Sequence, residues 1–113
     1  MTDEAKKYLS DILTAINSIE TYIEGKRLFA VYQQNKLLRR GVERELEIAG
    51  EATNYLLKLN ENINLSYAKK LISLRNRIIH AYDAVDDAII WDIVINHLPN
   101  LKIEIEGLLN SES

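Results

Sequence analysis

The sequence predicts an all-α protein: an up-and-down antiparallel bundle of four main helices, with short extra helices between them. Three observations lead there. Apolar residues recur at helical spacing along almost the whole chain. No stretch alternates apolar and polar residues as a half-buried strand does, and no hairpin signal competes. The breaks between the stripes are short, which favours antiparallel neighbours. With 113 residues the chain is long enough for one hydrophobic core, so residues 1–113 read as a single domain.

The first stripe is Leu9, Ile12, Leu13, Ile16, Ile19 and Ile23. It predicts a helix with Asp3 as N-cap and Gly25 as its stop. Lys26 to Gln34 reads as a helical turn or bend. A long helix follows from about Asn35 to Leu59, with Leu38, Val42, Leu46, Ala49, Ala52 and Leu56 facing inward. Gly41 and Gly50 lie inside it at a cost in helix propensity. Each either lets another helix approach closely or occupies a tolerant surface position. Asn60 to Asn64 is a loop, and Ser66 is placed to cap the next helix, which runs to about Asp83. Asp86 or Asp87 caps a further helix. Pro99 lacks a backbone donor and clashes with the preceding turn, so the C-terminal stretch is either two helices or one kinked helix. Leu98, Leu101, Ile105, Leu108 and Leu109 form its stripe, and no internal repeat is present.

Composition narrows the chemistry. There is no cysteine, hence no disulfide and no thiolate metal site. The two histidines and scattered carboxylates show no metal-ligand spacing, so neither a metal nor another cofactor is expected. Met1 to Lys7 is charged and runs into an amphipathic pattern, unlike a signal peptide. No apolar run approaches the roughly 20 residues a membrane span needs. A cytoplasmic protein without membrane contact is the expectation. A net charge of −3 is not that of a general nucleic-acid binder. Any RNA contact must come from a local patch, either Lys69, Lys70, Arg75 and Arg77 or Lys36, Arg39, Arg40 and Arg44. No glycine-rich phosphate loop, nucleophilic triad or paired-carboxylate motif occurs.

The chemistry-bearing segment is Leu74 to Tyr82, in which Arg75, His80 and Tyr82 follow the spacing R-x4-H-x-Y. It gathers a permanent cation, a group that titrates near neutrality and a phenol within about two helical turns. Arginine holds phosphate through a planar fork of donors, and histidine moves protons at physiological pH. At about 100° per residue, Ala68, Leu71, Ile72, Ile78, Ile79 and Tyr82 form one apolar stripe with Arg75 near its middle. Buried guanidinium is costly unless it is paired or faces a polar cleft. Lys69, Ser73, Asn76 and His80 form a polar row beside it. A snorkelling arginine, an edge histidine and a packing tyrosine are each ordinary on their own. Their joint spacing carries the argument. Elsewhere, Trp91 fills the core or a dimer contact, His97 is structural or exposed, and Glu51 orients the motif, forms a salt bridge or is solvated.

The segment "LRNRIIHAY" resembles the signature of the HEPN superfamily, specifically its HepT-like toxin ribonucleases. Three further segments match in order: Val42 to Ala52, with its G-E-A ending; Leu65 to Leu74, leading into the motif; and Trp91 to Leu101, with its W-…-L-P-x-L pattern. The resemblance covers nearly the whole chain. It implies an all-helical homodimer that cleaves RNA without metal at a composite interface site. Arg75 and His80 would be the catalytic pair, with Asn76 and Tyr82 supporting and Lys69, Arg77, Arg40 and Arg44 near the RNA, whether transfer RNA or messenger RNA. It also implies an MntA-like nucleotidyltransferase antitoxin that adds AMP to Tyr82. Asp83 to Asp87 is more acidic than the family pattern. A different expectation also fits the resemblance: a non-catalytic helical partner of a nucleotidyltransferase, holding a nucleotide phosphate with Arg75 and His80.

Overall fold

In the computed structural model, residues 1–59 and 61–111 are described, with all their side chains except that of Tyr82. Asn60, at the start of the expected loop, lies outside the described residues. The helices are α1 (Asp3–Tyr22), α2 (Phe29–Gln34), α3 (Lys36–Lys58), α4 (Ala68–His80), α5 (Asp87–Asp92) and α6 (Leu98–Asn110). Every regular element among the described residues is helical, as the periodicity predicts.

Helix α3 is the centre of the bundle: α1 packs along it on one side and α4 on another, while α6 leans on α1. The core is built from the predicted stripes. Leu9, Ile12 and Ile16 of α1 meet Val42 and Leu46 of α3, and Ile90 and Ile105 complete it from the C-terminal segment. Removing such a side chain from water contributes about 1.5–3 kcal/mol. Asn35 caps α3 through Oδ1, which accepts from the Leu38 N–H at 2.9 Å.

Several boundaries differ from the sequence reading. Thr2, not Asp3, caps α1: its Oγ1 accepts from the Ala5 N–H at 3.1 Å. Asp3 falls in the first turn, where its charge still complements the helix dipole. The helix stops at Tyr22, and Gly25 takes the left-handed conformation (φ +73°) in the turn beyond. Ser66 does not cap α4. Its N–H and hydroxyl both donate to the Glu104 carboxylate of α6, at 2.8 and 2.6 Å. Tyr67 stands at the N-cap position with no side-chain bond.

The end of α4 matters most for the motif. The helix stops at His80 rather than near Asp83; Ala81 leaves the helical region, and Tyr82–Ala84 form a single 3-10 turn. Three aspartates follow, at Asp83, Asp86 and Asp87. Negative charge at the negative end of a helix dipole disfavours continuing it. Asp86 instead begins α5, its Oδ1 accepting from the N–H groups of Ala88 and Ile89 at 2.9 and 3.4 Å. Tyr82 therefore does not continue the helical face of Arg75.

Pro99 does not break the C-terminal helical run. Residues Ile93–His97 form a π-helical turn between α5 and α6, with the Leu98 N–H reaching back five residues to the Ile93 carbonyl. The widened turn sets Pro99 in the first turn of α6, where its missing donor leaves no bond unmade. Trp91 is half-buried against Tyr32, their ring centroids 5.0 Å apart. His97 stacks on Tyr67 at 4.4 Å and lies 3.4 Å from Asp92, a structural setting. Among the described residues no helix is long and apolar enough to cross a membrane.

Candidate active site

Where α3 crosses α4, the two backbones come so close that only glycine fits. A Cβ on Gly50 would lie 2.4 Å from the Arg75 Cβ and 2.7 Å from the Leu71 carbonyl oxygen. Of the two readings left open for Gly50, close approach is the one realised. The crossing pins the first carbons of the Arg75 side chain between helices. Arg75 is half-buried, and its Nε is fully buried without a hydrogen-bond partner among the described residues. Its Nη1 donates to the Asn76 Oδ1 at 3.0 Å. Arg75 thus presents a guanidinium that is fixed at its root, oriented by the next residue, and not neutralised by a described carboxylate.

His80 is the last residue of α4 and is exposed. It lies five residues beyond Arg75, which places it about 7.5 Å further along the axis and about 140° around it. Asn76 stands between the two, one turn before His80. One helix therefore carries Arg75, Asn76 and His80, though not Tyr82, and Arg75 and His80 leave it in divergent directions. Tyr82 begins the turn two residues after His80, and its side chain lies outside the description. Glu51 is exposed and makes no ion pair or hydrogen bond among the described residues, so the solvated reading holds for it.

The two predicted basic patches differ. On α3, Arg40 is bound to Glu43 at 2.9 Å, and Arg44 to Glu47. On α4, Lys69, Lys70 and Arg77 are exposed and have no carboxylate partner among the described residues.

Sequence reasoning missed a polar cluster at the N-terminal half of α3. Glu43 is only 5% exposed, and burial pushes its carboxyl above the usual range, with Arg40 pulling the other way. The neighbouring Tyr32 is fully buried and its hydroxyl has no partner among the described residues. Burial raises that phenol, and the negative charges of Glu43 and Asp87 raise it further. The available signal was spacing: Glu43 precedes Gly50 by seven residues, which returns it to the face that meets α4. Among the described residues, no group of three His, Asp or Glu side chains is gathered as metal ligands would be.

The family model described as "Ribonuclease HepT-like" matches residues 12–108. A Methanocaldococcus jannaschii protein whose name marks it as a candidate RNase is 32% identical over 91% of this chain and 94% of its own length. The "Probable ribonuclease HepT" of Thermococcus cleftensis is 34% identical over 91% of this chain and 94% of its own. A candidate RNase of Caldanaerobacter subterraneus is 29% identical over 95% of this chain and 96% of its own. No solved structure matches the chain. The helical architecture, the R-x4-H-x-Y segment at the end of α4 and in the turn after it, and these likenesses agree, and the chain belongs to the HepT-like ribonucleases of the HEPN superfamily.

Proposed function

We propose that the protein is a metal-independent endoribonuclease, the toxin of a toxin–antitoxin pair in the cytoplasm, and that it works as a homodimer. The observation that carries this reading is Arg75: a guanidinium anchored by the Gly50 crossing, with a buried Nε that lacks a partner among the described residues. Such a fixed donor suits a phosphate whose charge grows during reaction, because it needs no reorganisation as the charge develops. His80 supplies the proton transfer. It takes the proton of a ribose 2′-OH as that oxygen attacks phosphorus, or delivers one to the departing 5′-oxygen. The products are a 2′,3′-cyclic phosphate and a free 5′-hydroxyl, and no metal is needed to balance the step.

The divergence of Arg75 and His80 around α4 supports the dimer. A two-fold axis beside this helix presents each group twice, so one histidine serves as base and its mate as acid. Asn76 orients Arg75 in the free protein and phosphate in the complex. Lys69 and Arg77 contact RNA, transfer or messenger, with their charges free; Arg40 and Arg44 meet it with Glu43 and Glu47 already bound to them. Tyr82, in the turn after His80, is the acceptor for AMP from a nucleotidyltransferase antitoxin. The adduct adds negative charge and bulk at the end of the catalytic helix, where it opposes an incoming phosphate.

The test is cleavage of total and transfer RNA in EDTA by protein whose Tyr82 is unmodified by mass spectrometry, beside His80→Ala. Cleavage that drops by about 10²–10⁴-fold in the variant is expected. Equal cleavage by both proteins removes His80 from the mechanism. Cleavage by neither, across several RNA classes, moves the reading to a nucleotide-binding partner.

A further inference from the structure

On the side of α4 away from Gly50, a groove of about 420 Å³ runs between this helix and α5. That volume falls within the range of roughly 300–1,000 Å³ typical of small-molecule sites. Its two long walls differ in chemistry. The α4 wall carries Lys69, Lys70 and Arg77, none with a carboxylate partner among the described residues. The opposite wall brings Ile89 and Ile93, with Leu74 at the base; Ile89 is 48% exposed and offers the groove an apolar surface. Asp86 and Asp92 also line the groove, and neither forms an ion pair with its cations. Asp86 accepts from the α5 backbone, and Asp92 accepts from Asn96 at 2.7 Å and lies beside His97. The groove therefore carries three cations, unpaired among the described residues, against two carboxylates, a small positive excess facing an apolar wall, which suits a ligand with phosphate on one side and a flat apolar ring on the other.

The groove is also aligned with the candidate active site. Its α4 residues run from Lys69 to Arg77, and His80 stands one turn further on. Arg77 and His80 are i, i+3 neighbours, with Cβ atoms about 5–6 Å apart. Ser73, which lines the groove, shares the polar row of His80. A strand lying in the groove would lead directly to the histidine.

From this we infer that the α4–α5 groove holds single-stranded RNA beside the cleaved bond: Lys70 and Arg77 grip its phosphates, and a base lies against Ile89 and Ile93. The inference rests on the ribonuclease reading and adds the path of the strand. It also gives the acidic chain a local means of holding a polyanion.

The test uses full-length His80→Ala protein, which leaves RNA uncut, and a short fluorescent single-stranded RNA read by anisotropy across a salt series. Lys70→Ala with Arg77→Ala is expected to weaken binding about tenfold and to lower the salt slope by about 1.4, the loss of two single-strand phosphate contacts. Ile89→Glu, at an exposed site that tolerates charge in the fold, is expected to weaken binding as well. Lys26→Ala with Arg27→Ala removes the same charge from an exposed turn elsewhere and is expected to shift affinity less than twofold. If the groove variant keeps the affinity and slope of its parent while the wild type cleaves RNA, the strand takes another path and the ribonuclease reading stands. If both double variants weaken binding equally, the effect is net charge alone and the groove is excluded. If the wild type neither binds nor cleaves RNA, both readings fall together.

Discussion

The two flanks of α4 are built to opposite ends. Against α3 the helix is pressed so tightly that Gly50 is required and the root of Arg75 is immobilised. Against α5 it stands away, leaving a groove and a row of cations that form no ion pair with the described carboxylates. The closed flank fixes a single charge in one position. The open flank leaves space for something that is not protein. A charge meant to stabilise a transition state gains from rigidity, whereas a surface that guides a flexible polymer gains from access and unspent charge. On the proposed reading, the two packing partners of one helix separate chemistry from binding.

Removing the charge on the closed flank should have the largest effect. Arg75→Ala is expected to slow RNA cleavage about 10²–10³-fold while leaving the melting temperature near that of wild type. Cleavage at the wild-type rate would show that the fixed guanidinium is not used. Loosening the crossing itself comes next. In an ordinary helix interior, glycine to alanine stabilises by roughly 0.5–1 kcal/mol. Gly50→Ala should instead destabilise by about 1–3 kcal/mol, the typical cost of overpacking, and should reduce cleavage because Arg75 shifts with α4. Denaturant unfolding with an unchanged or higher midpoint would mean that the helices part without strain.

The smallest expected effect concerns Glu43, on the α3 side. Burial raises its carboxyl above the usual value, so the folded chain holds that proton more tightly than the unfolded chain. The stabilising contribution is complete below the unfolded value, about 4.3, and is lost as pH rises through the raised one. Glu43→Gln should therefore melt slightly above wild type at neutral pH, and the gap should close on acidification into the ordinary glutamate range. A gap of constant size across that interval would locate the effect in packing rather than in the proton.

Much of this organisation was written in local pattern. The inward stripes of α1 and α3 and an aspartate cap on α5 follow from spacing and side-chain chemistry alone, and Arg75, Asn76 and His80 fall on one helix as predicted. The parts that were not legible depend on partners distant in sequence. Ser66 has the chemistry of a cap, but Glu104, thirty-eight residues on, takes both of its donors. Gly50 looked identical to Gly41 until α4 was laid across it. The apolar stripe runs smoothly into Tyr82, yet the aspartates beyond it end the helix at His80. The α4–α5 groove is a gap between elements, and no periodicity encodes a gap.

The contact between Tyr32 and Trp91 has an optical consequence. Trp91 is the single tryptophan of the chain, and it sits on α5, the helix that forms the far wall of the groove. With a tyrosine ring 5.0 Å away, its indole emission reports directly on whether α5 is seated against α2. The protein thus carries its own fluorophore on the far side of the groove, and release of α5 from α2 on unfolding can be followed by intrinsic emission without attaching a dye.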